Sequence, residues 1–348
     1  MKTAWLKVLE GRATLPQSMT ERANMVEFAD AHHVLGQMAV AWDGKVEGKL
    51  KDVLDNGLLR TGFDHRMLQF EMDRVERALA GSGIMPVLLK GGAYVAISSR
   101  AGEGRRVSDL DILVSENELA ETEKLLRQAG WAFDPGVDND YDLYYYRKYM
   151  HELPPLRHQR RRSIIDVHHS LLPRTSRIKI NTNLLRDAAI PIKGRALRVL
   201  TPVDLFIHSA VHTFADGSFD TPARSVLELH YLLQELDEAQ VSALARRAAE
   251  VGACMPVATA LWMLADLFDD RTSSGVLAAT NIKPATWVVR HALKRKLENV
   301  ETAMIAKMLL FIRSHFLRMP LHLLGVHLAR KAFRFLRKST TQEDQQVS

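Results

Sequence analysis

Sulfur chemistry is almost missing from this chain: Cys254 is its single cysteine in 348 residues. An internal disulfide and a cysteine-based zinc site are both excluded. Such usage fits a reducing compartment, and a cytoplasmic protein is the expectation. Cys254 lies beside Met255 in an apolar run, which reads as a buried small residue rather than a nucleophile. A strong charge of one sign is also lacking. The 47 basic and 41 acidic residues leave a net charge of +6. That mild bias favours polyanions such as nucleotides, RNA or acidic lipid surfaces without choosing among them, and it equally serves solubility. Met1 to Gly11 has no continuous apolar core of the signal-peptide kind. The most apolar C-terminal stretch, Ala303 to Ala329, is interrupted by Lys307, Arg313, Arg318 and Pro320, which argues against a spanning helix. No internal repeat and no low-complexity tract is seen.

What is present is ordinary globular composition, 47% hydrophobic and 25% charged. A chain of this length divides naturally into two or three compact units. Three regions are expected: a helical stretch over 1–82, a sheet-bearing unit over 83–200 and a helical unit over 201–338, followed by a polar, disordered tail over 339–348. The fold class is α+β, with a small mixed sheet between N-terminal helices and a helical C-terminal domain. In the first region Thr20 caps a helix running towards Trp42, and a second helix runs from about Asp64 to Ala80, ended by Gly81 and Gly83. In the second, strands are expected at Met85–Leu89, Leu110–Val114, the tyrosine-rich Leu143–Met150 and Ser163–His168. Helices follow Gly91–Gly92 and occupy Glu116–Ala129. In the third, Thr201 and Pro202 open a helix, and further helices cover 227–236, 241–251, 256–268 and, with breaks, 284 onwards.

The chemistry concentrates in Leu88-Leu89-Lys90-Gly91-Gly92 and Arg106-Val107-Ser108-Asp109-Leu110-Asp111-Ile112-Leu113-Val114. Asp109 and Asp111, two residues apart on a strand, project to one face. Leu110, Ile112 and Val114 anchor that strand in a core. Two adjacent carboxylates repel unless a cation lies between them. Mg²⁺, or Mn²⁺, binds through such acids together with substrate phosphates. Gly91 and Gly92 follow a strand and open a helix, where backbone N–H groups can approach an anion. Lys90 can reach the same phosphates. Asp166, a lone acid within the apolar strand Ile164-Ile165-Asp166-Val167-His168, is costly without a partner. It is the candidate third carboxylate, as metal ligand or general base.

The pattern resembles the DNA polymerase β-like nucleotidyltransferase superfamily, and more narrowly the uncharacterised bacterial nucleotidyltransferases of family 5. The Leu-Lys-Gly-Gly run, Arg106–Val114, His151-Glu152-Leu153-Pro154-Pro155-Leu156, Asp166-Val167-His168 and Thr201-Pro202-Val203-Asp204-Leu205 with His208 and His212 carry the likeness, from about Ile84 to Leu236. The Lys-Gly-Gly start is also similar to toxin-type nucleotidyltransferases. The resemblance implies that Gly91 and Gly92 contact phosphate, that Asp109, Asp111 and Asp166 hold divalent metal, and that a helical domain closes over the nucleotide. Lys90, Arg106 and Ser108 join the expected nucleotide-binding set. Gly92 stands where many members carry Ser, which removes one hydroxyl contact. The implied substrate is a nucleoside triphosphate; the acceptor is a small molecule, a protein or an RNA. A catalytically weak nucleotide-binding or scaffold protein is the alternative.

Plainer roles stand beside these. Lys90 can be a solvated strand-end residue, and Arg106 can simply pair with Asp109 or Asp111 and hold them. His151, His168 and His169 lack the usual zinc spacing. His168 shares the face of Asp166, whereas His169 faces the other way and packs. His208 and His212 are a helix turn apart, fitting packing or nucleotide contact, and Arg224 and Glu228 fit a helix pair. The cluster Tyr141, Tyr144, Tyr145, Tyr146 fits a half-buried sheet. The basic run Arg330, Lys331, Arg334, Arg337, Lys338, interleaved with Phe333, Phe335 and Leu336, fits contact with RNA or an anionic membrane as well as a solvated helix end.

Overall fold

The computed structural model describes residues 4–134, 140–216, 219, 221–298, 303–318 and 320. The polar tail and the basic run after Ala329 lie outside them. The first helices are α1 (Ala4–Leu9), α2 (Met19–Ala31), α3 (Leu35–Ala41) and α4 (Gly48–Leu79). Ser18, not Thr20, caps α2: its side chain accepts from the Glu21 backbone N–H at 3.1 Å. The single helix expected up to Trp42 is two, because the chain turns through His33 at φ +56°. The second expected helix is longer than the sequence indicated, beginning at Gly48.

Strand β1 (Val87–Leu88) leads into α5 (Lys90–Ala96), and β2 (Asp109–Leu113) follows a short 3₁₀ turn at Arg100–Gly102. A capping box between Ser115 and Glu118 opens the turn that runs into α6 (Leu119–Gln128). Gly130, at φ +100°, ends that helix where an L side chain would be strained. Next come β3 (Trp131–Phe133), α7 (Asp140–Tyr149), β4 (Leu156–His158), β5 (Ile164–His168), α8 (Thr182–Asp187), β6 (Ile190–Pro191) and β7 (Arg198–Val199). The expected strand Leu143–Met150 is therefore the helix α7. Its tyrosines at 144, 145 and 149 recur at helical spacing, and that period overrides their strand propensity. Lys148 lies over the Tyr144 ring at 5.0 Å, a contact between helix neighbours.

The seven strands form one mixed sheet in the order β3-β4-β5-β2-β1-β7-β6. At its centre β2 runs parallel to β5, with Asp111 opposite Asp166. β1 lies antiparallel on the other side of β2. Leu110, Ile112, Ile165 and Val167 fill the buried face. The described elements after β7 are helical: α9 (Pro202–Val211), a π turn at His212–Asp216, α10 (Pro222–Gln234), α11 (Glu238–Val251), α12 (Cys254–Phe268), α13 (Arg271–Ala279), α14 (Trp287–Glu298) and α15 (Met304–Arg318). Thr201 caps α9 with Pro202 in its first turn, as expected. Cys254 is half-buried at the start of α12. None of the described helices is long and apolar enough to cross a membrane.

Candidate active site

The central strand pair brings three acids from distant sequence to one face. Asp109 and Asp111 project from β2, and Asp166 projects from β5 beside Asp111. Asp111 is 3% exposed. Its Oδ1 accepts from Lys90 Nζ at 2.6 Å and lies 3.0 Å from His168 Nε2. Burial alone would raise the Asp111 pKa, but the charges and hydrogen bonds of Lys90 and His168 win and hold it well below the usual carboxylate range. Burial opposes the charge of Lys90 too, yet Asp111 outweighs it and raises the ammonium pKa. Lys90 starts α5 with φ at +46°, a left-handed conformation unfavourable for a residue with a Cβ. The buried pair with Asp111 holds the side chain of this strained residue over the sheet.

The other two acids titrate in the opposite direction. Burial first, and then repulsion by Asp111, raises Asp109. Burial, Asp111 and Glu152 push Asp166 up to about 7. Oδ1 of Asp166 is buried without a hydrogen-bond partner. Ser108 donates to Asp109 Oδ1 at 3.3 Å. Three carboxylates that cannot comfortably ionise together, one with an orphaned oxygen, are the kind of donors a hard divalent cation takes, though their oxygens do not all converge within 4.8 Å in this structure.

Both glycines of the α5 start are buried. A Cβ on Gly91 would lie 2.0 Å from Nη1 of Arg105, and one on Gly92 would lie 3.2 Å from Leu110 Cδ1. Close packing thus already requires small residues here, whatever anion they also meet. Arg105 is the arginine at the site. It is buried, and its Nε donates to Glu228 Oε1 at 2.8 Å. Its neighbour Arg106 pairs instead with Asp64 of α4, not with Asp109 or Asp111. Arg224 joins Glu228 at 3.4 Å, the helix pair expected from their spacing.

A cavity of about 300 Å³ opens beside Lys90 and is lined by Tyr94, Arg105, His208, His212 and Arg224 among others. His208 and His212 stack at 6.4 Å with their planes 8° apart. Burial, then His212 and Lys90, lowers the His208 pKa well below its ordinary value, so the ring is neutral. A second cavity, about 220 Å³, is bordered by Ser108, Asp109, Arg161 and Ser163. The acids therefore have one space on the cationic Lys90 side and another on the Asp109 side.

In the sequence Arg105, Glu152 and Asp64 carry no sign of a site role. Nothing in the local pattern separates Arg105 from Arg106; only the distant Glu228 selects the former. His168, by contrast, contacts the site as its strand position indicated, and His169 is buried.

A family model described as an uncharacterised nucleotidyltransferase matches residues 23–269, well over half of the chain. No curated protein matches the chain.

Proposed function

The chain belongs to the family of uncharacterised nucleotidyltransferases, and from that premise we propose that it transfers a nucleoside monophosphate from a nucleoside triphosphate to a hydroxyl acceptor. The observation that carries this reading is the register of β2 against β5, with Asp111 opposite Asp166 and Asp109 on the same face. Asp109, Asp111 and Asp166 would hold Mg²⁺ or Mn²⁺. When bound, the ion would neutralise the clustered carboxylates and polarise the reacting phosphate. Lys90, which lines the 300 Å³ cavity, would bind the β and γ phosphates there, and the N–H groups of Gly91 and Gly92 follow it at the start of α5. We assign Arg105 and Arg224 to charge compensation there in place of Arg106, because they line that cavity. Ser108 keeps Asp109 oriented beside the nucleotide.

In the reaction the acceptor oxygen attacks the α-phosphorus in line and forms a new P–O bond. The bond from the α-phosphorus to the bridging oxygen breaks, and pyrophosphate leaves with the electron pair. The acceptor proton would pass to the Asp166 carboxylate, which stands opposite Asp111 on the neighbouring strand. The 220 Å³ cavity next to Asp109 suits the acceptor, which is a small molecule, a protein side chain or an RNA end. We also propose unit boundaries near residues 82 and 200, since every strand among the described residues lies between Val87 and Val199. The test is pyrophosphate release and acceptor mass increase with each nucleoside triphosphate and Mg²⁺. Asp111→Ala is expected to abolish both. Nucleotide binding in a calorimeter without turnover that depends on Asp111 would sink the enzymatic reading.

A second reading, contact with an anionic lipid surface, draws on α15. Its large side chains face outward, with Met304 77% and Ile312 55% exposed, while Ala306, Leu310 and Ser314 face inward. Residues 283–338 hold thirteen Lys and Arg against two Asp and Glu, so +11 of charge lies there and −5 in the rest of the +6 chain. An exposed apolar helix face within a segment of net positive charge suits an anionic membrane interface better than a nucleic acid. Co-sedimentation with phosphatidylglycerol vesicles that is lost in Ile312→Glu supports this surface. Binding to RNA instead, unaffected by that change, refutes it.

A further inference from the structure

Behind Asp111, on the far side of His168, lies a donor cluster that the nucleotidyl transfer does not use. We propose that His151, Glu152 and His168 form a second metal site, for a divalent first-row transition ion of the zinc class. Nδ1 of His168 lies 3.3 Å from Oε2 of Glu152, and Nε2 of His151 lies 3.8 Å from the same oxygen. One donor atom from each residue falls within 4.8 Å of the others. Three donors around a zinc ion at about 2.1 Å stand about 3.4 Å apart in a tetrahedral arrangement. Two of the cluster's donor distances, 3.3 and 3.8 Å, are already near that spacing. Both histidines are buried.

The backbone holds the donors in place. Glu152 forms an antiparallel backbone bridge with His168 at the end of β5. Leu153 N–H donates to Val167 O at 2.9 Å, and His169 N–H donates to His151 O at 2.9 Å. The donor chemistry differs from that of the three aspartates. Imidazole nitrogens with one carboxylate suit zinc, cobalt or manganese, whereas all-oxygen sets suit magnesium. His168 also carries the second contact usual for a metal-bound imidazole: Nε2 meets Asp111 Oδ1 at 3.0 Å, leaving Nδ1 directed at the cluster. A metal on Nδ1 fixes the tautomer with the proton on Nε2, and so fixes the hydrogen bond that orients Asp111. The site thus positions a carboxylate of the transfer centre without touching substrate. Sequence spacing hides it, because His151 and His168 are joined only through the ladder between their segments.

The proposal concerns metal binding and stands whether or not the nucleotidyl transfer does. The full chain is stripped with chelator, held in excess Mg²⁺ to occupy oxygen-only sites, and titrated with Co²⁺ while its visible ligand-field spectrum is recorded. One Co²⁺ per chain is expected, displaced by Zn²⁺. His151→Gln and Glu152→Gln, each checked for folding by circular dichroism, are expected to weaken binding by about 100-fold. Asp166→Asn is expected to bind Co²⁺ as the unaltered chain does. A chain with no Co²⁺ spectrum overturns the site and leaves His168 as an imidazolium between two carboxylates. So does a spectrum that survives both substitutions at 151 and 152 but disappears with Asp166→Asn. If either single variant fails to fold, the other decides.

Discussion

The Lys90–Asp111 pair allows a quantitative trial. Lys90 is replaced by Met, which keeps length and leaves the left-handed backbone at position 90 unchanged; Asp111 is replaced by Asn, which keeps shape. The Asp111 side chain is 4% exposed and that of Lys90 is 21%, so neither charge is rescued freely by water. Removing one partner of a buried pair costs about 3–5 kcal/mol. His168 still satisfies Asp111 when Lys90 is gone, and Lys90 keeps some access to solvent when Asp111 is gone. Both effects place each single variant near the lower end, about 3 kcal/mol. The double variant leaves no orphaned charge and should lose about 4 rather than about 6 kcal/mol, a coupling of about 2 kcal/mol. Urea unfolding followed by circular dichroism measures all four proteins. Turnover separates the roles: Lys90→Met should chiefly raise KM for the nucleotide, by about tenfold for a lost charged hydrogen bond. Asp111→Asn should lower kcat by a factor on the order of 10³. Additive stability losses within about 0.5 kcal/mol would refute the pairing. Equal effects of the two variants on kcat would refute the division of labour.

Three further outcomes follow from named contacts. Gly91→Ala drives a Cβ into Arg105, which Glu228 holds in place; a loss of about 2 kcal/mol is expected in urea unfolding. Glu228→Ala strands the buried Arg105, so it should cost about 3 kcal/mol and weaken nucleotide binding in calorimetry. The third concerns pH in metal-free, chelated protein. The Asp166 pKa of about 7 in the fold lies above the ordinary aspartate value of about 3.9 in the unfolded chain. The fold therefore keeps a proton that the unfolded chain has released, and stability falls as pH rises from about 4 to 7. Asp166→Asn should flatten that slope while abolishing turnover; an unchanged slope would show that Asp166 is not the group responsible.

The acid-bearing strands were readable because two demands coincide in them. Leu110, Ile112, Ile165 and Val167 alternate with Asp109, Asp111 and Asp166, so burial and chemistry point to opposite faces. The start of α9 was readable because Thr201 and Pro202 act locally. Tertiary choices were not. The capping of α2 by Ser18 rather than Thr20 turned on one backbone hydrogen bond. The tyrosines of α7 obeyed helical spacing against their strand preference. Arg105 differs from Arg106 only by Glu228, which lies on α10. The cluster of His151, Glu152 and His168 depends on the ladder beside β5. Residues 105–106 misled because their partners, Glu228 and Asp64, lie far away in sequence, whereas residues 143–150 misled because strand propensity hid a local helical period.

The alignment of β2 with β5 limits how descendants of this chain can vary in length. Deleting one residue within either strand would swap outward and inward sides from that point on. Leu110 or Ile165 would then occupy the reaction face, and a carboxylate would enter the oily layer. Insertions between Val114 and Ser163 leave both strands intact, since hydrogen bonding rather than loop length sets their match. Related chains should therefore gain and lose residues in the loops joining the elements between the two strands, outside β3, β4 and the His151–Glu152 segment, and almost never inside β2 or β5.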